Sequence, residues 1–336
     1  MTEKRKVRNI AELAQIAGVS TSTVSRALSG KGVLNERTRS RIQAIAEEYD
    51  FRPSALAQNL RTQRTGAIGV VIPLGHETGQ HISDPFFMAI IGYLADHLTE
   101  RGYDLVLSKV IPKDDKWLDD IIDAQRTDGL IIIGQSDQYS TLERVAAKYA
   151  PMVVWGGHRP GQSQCTVGSD NRLGGEIATR HLLERGRRRI AFLGDPRAIE
   201  IAQRLDACRD TLIAETGNEP LVFAAHMSAH IAETNLVEFL QSNAGQIDGI
   251  FAASDVIAMK ALQALAELNL SVPDDIALIG YDDLPIASQT VPPLTTVHQD
   301  IERGAELLAE RLFQRIDGAS LQSVILPPEL VVRKST

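Results

Sequence analysis

The stretch from Ser20 to Leu28 combines hydroxyl side chains with a single arginine and contains no acidic residue. In a helix, Val24, Ala27 and Leu28 share one face by their i, i+3, i+4 spacing, so they pack inward. The side chains left on the opposite face are those of Thr21, Ser22, Ser25 and Arg26. Hydroxyl groups suit phosphate oxygens, and an arginine reaches O6 and N7 of guanine with two parallel hydrogen bonds. This face therefore has the chemistry of a surface that reads DNA.

A second set of polar and aromatic residues follows apolar runs in the larger, C-terminal part of the chain. It consists of His81, Asp84, Phe86, Gln135, Ser136, Trp155, Gly156, Arg204, His226, Ser254, Asp255, Asp282 and Gln299. Carboxylates accept from two sugar hydroxyls at once, and an arginine donates to two, so the set suits a saccharide. Some of these residues could instead have a purely structural role: Asp255 as a helix N-cap, Asp282 as a turn residue and Trp155 as part of the core.

Motifs typical of enzymes are absent from the sequence. It has no Gly-x-x-x-x-Gly-Lys-[Ser/Thr] loop, no Gly-x-Ser-x-Gly elbow and no His-Glu-x-x-His pair. The only cysteines, Cys165 and Cys208, give neither a disulfide framework nor a cysteine-rich zinc site, and we predict two reduced packing thiols. We expect no enzymatic activity, no cofactor and no metal.

Three short helices are predicted to position the hydroxyl and arginine face. Asn9 caps the first helix with Glu12 three residues on, and Gly18 ends it. Ser20 caps the second helix almost at once, which makes the two helices cross steeply. Asn35 caps a third helix over residues 36–49. This pattern matches the helix-turn-helix geometry that places its second helix in the DNA major groove, and the alternative is a plain three-helix domain with a solvated face.

Charge is divided unevenly along the chain. Residues 1–65 hold twelve Lys or Arg against six Asp or Glu, a net of +6, whereas all 336 residues carry −8 and the remainder therefore −14. A basic head on an acidic body indicates two different partners, with nucleic acid the first candidate for the head. No apolar run approaches a membrane span, and the charged N-terminus lacks the apolar stretch of a secretory signal, so a cytoplasmic protein is expected.

Residues 53–60 predict a helix too short to be stable alone. Pro53 ends the third helix, and Ser54 can cap a single helical segment through Leu60. We expect this segment to form only when something holds it. The alternative is that Leu56 and Leu60 simply join head and body by apolar contact.

The body alternates short apolar runs with amphipathic helical patterns. The predicted strands are 67–73, 105–109, 129–133, 152–155, 190–194, 221–224, 250–253 and 277–281, and helices are predicted over 86–101, 173–185 and 255–268. Such alternation predicts parallel sheets covered by helices, either one barrel or two doubly wound sheets. Turn-forming residues over 165–171 favour a crossing between two lobes there.

The run from Ile10 to Leu28 closely resembles the headpiece of the LacI/GalR family of bacterial transcription regulators. The matching positions include Ala14, Gly18, Val19, Ser20, Thr23, Val24, Ser25, Arg26 and Ala27. The resemblance implies base contacts from Thr21, Ser22 and Arg26, and phosphate contacts from Ser20, Thr23, Ser25 and Asn35. It also implies that residues 53–65 form a hinge helix, which pairs in the DNA minor groove with the same helix of a second subunit. Ala57 and Leu60 then contact DNA, and Leu60 inserts between the two central base pairs.

The resemblance also implies the architecture of the whole chain. A headpiece over 1–52 and the hinge over 53–65 precede a two-lobed effector and dimerisation domain over 66–336, of the periplasmic-binding-protein type. The first lobe takes about 66–165 and 296–322, and the second about 166–295 and 323–336, with three crossings and a ligand cleft between them. Arg204, Asp282 of Gly280-Tyr281-Asp282, and Gln299 fall on effector positions of the family.

These features together predict a dimeric repressor of carbohydrate genes that binds an inverted-repeat operator and is released by a mono- or oligosaccharide. No heptad helix follows residues 331–334, so dimers rather than tetramers are expected. A purine or phosphorylated metabolite acting as co-repressor is an open alternative. A sugar receptor or enzyme with a basic assembly module is the alternative from another class.

Overall fold

The structure is a computed structural model that describes residues 7, 9–29, 34–51, 64–225 and 231–336. Two compact units divide the chain, one over residues 1–66 and the other over 67–336. The hinge residues Ala57 and Leu60, and the candidate His226, lie outside the described residues. Each unit is considered by itself below.

The small unit contains three helices: α1 (Ile10–Ala17), α2 (Thr21–Ser29) and α3 (Glu36–Glu48). The predicted capping box is present, since Asn9 Oδ1 accepts from the Glu12 amide at 2.9 Å and Asn9 Nδ2 donates to Glu12 Oε1. Gly18, at φ 65°, ends α1 in the left-handed conformation that glycine adopts most easily. The core buries one face of each helix and includes Leu13, Ala14, Ala17, Val24, Ala27, Ile42 and Ala46.

The large unit contains two six-stranded sheets, which settles the choice between a barrel and two sheets. The first has the order β2, β1, β3, β4, β5, β11, and all its pairs are parallel. Its strands are β1 (Ala67–Pro73), β2 (Asp104–Val110), β3 (Gly129–Ile133), β4 (Met152–Trp155), β5 (Thr166–Ser169) and β11 (Val324–Leu326).

The second sheet has the order β7, β6, β8, β9, β10, β12, of which only β12 runs antiparallel to its neighbour. Its strands are β6 (Ile190–Leu193), β7 (Leu221–Phe223), β8 (Gly249–Ala252), β9 (Ala277–Asp282), β10 (Thr295–His298) and β12 (Glu329–Val331). All eight strands predicted from apolar runs are thus confirmed as strands.

Helices cover both faces of each sheet. Those of the first lobe are α4 (Pro85–Glu100), α5 (Trp117–Asp123), α6 (Tyr139–Ala146) and α11 (Ile301–Ile316), and those of the second are α7 (Asn171–Glu184), α8 (Ile199–Thr216), α9 (Ile231–Ser242) and α10 (Asp255–Glu267). Because strand side chains alternate, Ile131 and Ile133 of β3 face the core under α4 and α11, whereas Leu130 and Ile132 face the core with α5 and α6. The central strand β3 is therefore apolar on both sides, whereas the edge strand β2 is largely exposed.

The chain crosses between the lobes three times, as expected, and the crossings follow β5, β10 and β11. The first crossing, at residue 170, lies within the segment 165–171 that the turn-forming residues indicated, but residues Thr166–Ser169 before it form β5, which pairs with β4 and β11 and is buried. Residues 324–326 belong to the first lobe and 295–298 to the second, so the lobe boundaries lie a few residues later than expected. β5 was not predicted because a four-residue strand between two neighbours needs no apolar run.

Two further observations bear on the sequence predictions. Cys165 and Cys208 are both buried and free, as predicted. Among the described residues, no helix is long and apolar enough to cross a membrane.

Candidate functional site

The predicted DNA-reading face lies on α2 and the turn before it. Ser20, Thr21, Ser22 and Arg26 are exposed, and Thr23 and Ser25 are half-buried. Ser20 Oγ accepts from the Thr23 amide at 3.2 Å and lies 2.8 Å from the hydroxyls of both Ser22 and Thr23. The hydroxyl groups thus form one cluster at the start of α2, and Arg26 stands one turn further on.

The third helix holds this face in place. Asn35 Oδ1 accepts from the Arg37 amide at 2.9 Å and so caps α3, which leaves its side chain exposed at the start of that helix. Arg41 Nη2 donates to the Ala17 carbonyl at 3.1 Å and ties α3 to the end of α1. A contact of Asn35 with phosphate stays a prediction.

A cleft lies between the lobes at the carboxyl ends of both sheets, where open α/β folds bind ligands. Its cavity has a volume of about 110 Å³. The predicted effector residues that line it are Asp84, Phe86, Trp155, Arg204, Ser254, Asp282 and Gln299. Ser136, named with them from the sequence, also lines the cleft.

Arg204 is held in the cleft by three contacts. Its Nε donates to Asn171 Oδ1 at 2.8 Å, its Nη1 donates to the Ala253 carbonyl at 2.6 Å, and its guanidinium lies 3.5 Å from the centre of the Tyr281 ring. Among the described residues Nη2 has no hydrogen-bond acceptor. The guanidinium is therefore fixed in orientation with one nitrogen available to a ligand.

Asp282 ends β9 with its carboxylate in the cleft. Its backbone has φ 118°, a conformation rare for any residue but glycine, and Gln299 Nε2 donates to its Oδ1 at 2.6 Å. Burial raises the pKa of the Asp282 carboxyl well above its usual value, against the attraction of Arg204. Within the described part of the chain Oδ2 accepts no hydrogen bond, so it is open to a hydroxyl donor.

Aromatic rings form the wall of the cleft on the first lobe. The Phe86 and Trp155 rings lie 6.2 Å apart at 49°, and Trp155 is only 4% exposed. Gly304 of α11 lies under the indole: a Cβ there would be 2.1 Å from Trp155 Cζ3. The Trp155 ring therefore packs in the core and also lines the cleft. It can lie this close to α11 only because residue 304 is a glycine.

We expect Gly304→Ala to lower the free energy of unfolding by about 1–3 kcal/mol, because the indole must shift from its packed position. The gain in helix propensity, ~1 kcal/mol, opposes this loss but does not remove the clash. Urea unfolding measures the difference. Gly92→Ala in α4 is the matched control, since its Cβ would meet nothing within 4 Å, and it should stabilise the chain. Equal effects of the two substitutions would contradict the packing argument.

Four predicted residues do not line the cleft: His81, Gln135, Asp255 and Gly156, of which Gly156 is buried beside Gln135. His81 is exposed, and its carbonyl accepts from the Asp84 amide at 3.1 Å in a turn that directs the side chain outward. Gln135 is fully buried beside the cleft, where its Nε2 donates to Gln164 Oε1 at 3.0 Å. Asp255 is buried and accepts hydrogen bonds from the Leu284 amide and from Thr296 Oγ1. Burial raises the pKa of its carboxyl to about 7. Ser254 rather than Asp255 caps α10.

The cleft also contains residues that the sequence did not single out: His76, Gln80 and Glu200. Glu200 lies in the first turn of α8. Acidic residues are common in the first turn of a helix, so its sequence position alone does not indicate a place in the cleft. Its Oε1 accepts from the Gln135 amide at 3.2 Å, and burial raises the pKa of its carboxyl. His76 and Gln80 lie in the loop 74–84, between β1 and α4.

Three hydrogen bonds from the start of α8 join the lobes across one edge of the cleft. Arg197 Nη2 donates to the His76 carbonyl at 3.1 Å, the Gln135 amide donates to Glu200, and Gln203 Nε2 donates to the His158 carbonyl at 2.9 Å. Residues 200 and 203 share one face of α8 by their spacing, and Arg197 lies in the turn before the helix. Arg204, at the next position, contacts Asn171, Ala253 and Tyr281 of its own lobe.

No group of three or more His, Cys, Asp or Glu side chains among the described residues is arranged to hold a metal ion. The titratable groups of the cleft are instead single carboxylates, each held by amide donors. Carboxylates held in this way can still accept from a hydroxyl donor.

The comparisons with known proteins cover the whole chain. A family model described as bacterial regulatory proteins, lacI family, matches residues 9–54, and one described as a periplasmic binding protein-like domain matches 179–336. The HTH-type transcriptional regulator DegA of Bacillus subtilis is 31% identical over 97% of this chain and 97% of its own.

Two solved structures are similar over nearly the full length. The transcriptional regulator CelR in complex with cellobiose is 28% identical, with a TM-score of 0.70 over 98% of this chain and 100% of that one. The lac repressor dimer bound to operator and the anti-inducer ONPF is 25% identical, with a TM-score of 0.83 over 98% and 99%.

Proposed function

Because the chain belongs to the LacI family of bacterial regulatory proteins, we propose that it is a repressor of carbohydrate-utilisation genes released from its operator by a saccharide. The observation that carries the proposal is the Arg204–Asp282 arrangement in a cleft of a chain that also has a helix-turn-helix head. The protein acts in the cytoplasm, where operator DNA is found. Its relatives are named as regulators, and we propose no enzymatic activity.

The free hydrogen-bonding atoms of the cleft favour a neutral polyhydroxylated ligand. Arg204 Nη2 offers donors, and Asp282 Oδ2 offers an acceptor beside the rings of Phe86 and Trp155. A sugar hydroxyl both donates and accepts, and sugar faces pack on aromatic rings. The similarity to a regulator crystallised with cellobiose supports a mono- or oligosaccharide.

An anionic ligand is the weaker candidate. Asp84, Glu200 and Asp282 all line the cleft, and Arg204 is the only arginine among the lining residues. Like charge at short range in a buried site opposes a phosphate or carboxylate ligand. A phosphorylated metabolite is therefore disfavoured, and an uncharged purine is left to the binding experiment.

Operator recognition is proposed to be two-fold symmetric. A homodimer would bring two copies of the α2 face to two inverted half-sites. The similarity to a repressor dimer bound to operator supports this arrangement. The hinge, with Ala57 and Leu60 as its DNA contacts, is part of the proposal, although it falls outside the described residues.

Release follows from linkage between the two ligands. If the saccharide favours one arrangement of the lobes and DNA the other, each weakens the binding of the other. A coupling of about 1–3 kcal/mol per site is enough when the hinge helix is only marginally stable.

The test uses the full-length chain on genomic DNA of the source organism. Retained fragments are sequenced and footprinted, and we expect an inverted repeat whose binding weakens steeply with salt. Cellobiose and a panel of neutral saccharides are then scored by thermal shift and by release of the labelled repeat. Absence of any footprint would favour the receptor or enzyme alternative, and release by a purine or phosphorylated compound alone would overturn the saccharide assignment.

A further inference from the structure

His76 enters the cleft with one ring nitrogen held and the other without a partner. Its Nδ1 lies 2.5 Å from Ser136 Oγ, a residue 60 positions later in the chain. Among the described residues its Nε2 is buried and makes no hydrogen bond. An unpartnered buried polar atom is costly, so its presence in a cleft indicates that a ligand supplies the missing partner.

Ser136 positions the His76 ring. Ser136 Oγ accepts from the Gly75 amide at 3.2 Å and from the His76 amide at 3.4 Å. It also donates to Asp137 Oδ1 at 3.2 Å, so Asp137 and His76 Nδ1 compete for its single proton. Nε2 therefore faces the cleft as a donor in one tautomer and as an acceptor in the other, and a hydroxyl group can complement either.

The local backbone is built around this contact. A Cβ at Gly75 would lie 1.9 Å from Asp137 Oδ1, so a larger residue there would displace the Asp137 side chain in the turn after β3. Ser136 has φ 50°, in the left-handed region that non-glycine residues rarely occupy. Arg197 of the other lobe binds the His76 carbonyl. Three separate features therefore fix a ring that no core contact requires.

We propose that His76 Nε2 hydrogen-bonds one hydroxyl group of the bound saccharide. His76 of the first lobe and Glu200 of the second both line the cleft. A hydroxyl group both accepts and donates, so it complements Nε2 in either tautomer, and it can donate to the Glu200 carboxylate when Nε2 donates to it. The inference rests on the proposed function and adds a contact from the first lobe to those of Arg204 and Asp282.

The test compares substitutions that retain different ring nitrogens. An asparagine amide stands near Nδ1, and a glutamine amide reaches the position of Nε2. We therefore expect His76→Asn to lower the affinity for the saccharide identified by thermal shift by roughly 5- to 150-fold, as measured by calorimetry. His76→Gln should recover most of that affinity. His81→Asn is the matched control, since that histidine lies in the same loop but is exposed. Operator binding without saccharide verifies that each variant is folded.

Deoxy analogues of the saccharide separate a direct contact from a structural effect. For the wild-type chain one mono-deoxy analogue should lose affinity by a similar factor, and for His76→Asn that analogue should bind as the parent sugar does. The wild-type result alone tests the contact if a variant does not fold, because a series with no affected position contradicts it. Equal affinity of the parent sugar for wild type and His76→Asn would overturn the role of His76 while leaving the saccharide function intact. A panel in which no saccharide binds would overturn both.

Discussion

Arg26→Ala should weaken binding to the operator by about 1–3 kcal/mol while changing binding to random DNA far less. Arg26 is exposed on α2, one turn beyond the hydroxyl cluster, and its guanidinium can contact guanine O6 and N7 together. Contacts to base edges discriminate between sequences, whereas phosphate contacts contribute equally to every sequence. Fluorescence anisotropy with the footprinted repeat and with a scrambled duplex, at one fixed salt concentration, measures both quantities.

Arg26→Lys is the matched control for charge. A lysine keeps the positive charge but not the planar pair of donors, so it should behave like wild type on random DNA and like Arg26→Ala on the operator. Equal losses on the two duplexes for Arg26→Ala would remove the base-reading role and leave Arg26 as a phosphate contact.

Arg204→Ala should abolish saccharide binding in calorimetry, a loss of two orders of magnitude or more, with operator affinity in the absence of saccharide close to wild type. One charge-assisted hydrogen bond contributes roughly 1.5–3 kcal/mol, and the substitution also removes the cation that offsets Asp282. Without Arg204 the pKa of the Asp282 carboxyl rises further, because burial then acts without its main opposing charge. The variant thus loses a donor and weakens an acceptor together.

The control for this substitution lies on the same helix. Arg209→Ala removes an arginine that pairs with Asp206 and Glu219 at the surface, away from the cleft. It should leave saccharide affinity unchanged, since exposed ion pairs contribute little. Retained binding in Arg204→Ala would refute its role, and a matching loss in Arg209→Ala would point to damage of α8 as a whole.

Sequence patterns predicted the strands that are rich in Val, Ile and Leu. All eight such runs are strands; those inside a sheet are buried on both faces and leave no position for polar residues, whereas the edge strand β2 is largely exposed and contains Ser108 and Lys109. Two missed strands lack that signal, since β10 is Thr295-Thr296-Val297-His298 and β5 contains glycine and serine, and the other two, β11 and β12, are only three residues long. Their pairing comes from neighbours far away in the chain, which local composition does not encode.

The same limit applies to the cleft. Residues directly after strands, such as Asp282 and Trp155, were found because the end of a strand locates them. In the loop 74–84 the sequence did not show which histidine faces the cleft. His81 was chosen as a candidate, whereas His76 lies in the cleft. Which histidine faces inward is decided by Ser136 and Gly75, whose contact depends on the packing of two separate strands.

The order of elements along the chain has a consequence for synthesis on the ribosome. The first lobe begins the large unit but is completed only after most of the second, because α11 and β11 follow the whole run from β6 to β10. Until α11 emerges, apolar side chains such as Ile131 and Val153 lack their cover, and surfaces of this kind promote aggregation of nascent chains. A stop codon after Gln322 would remove one edge strand from each sheet at once. Premature termination near the end of translation should thus leave neither lobe intact.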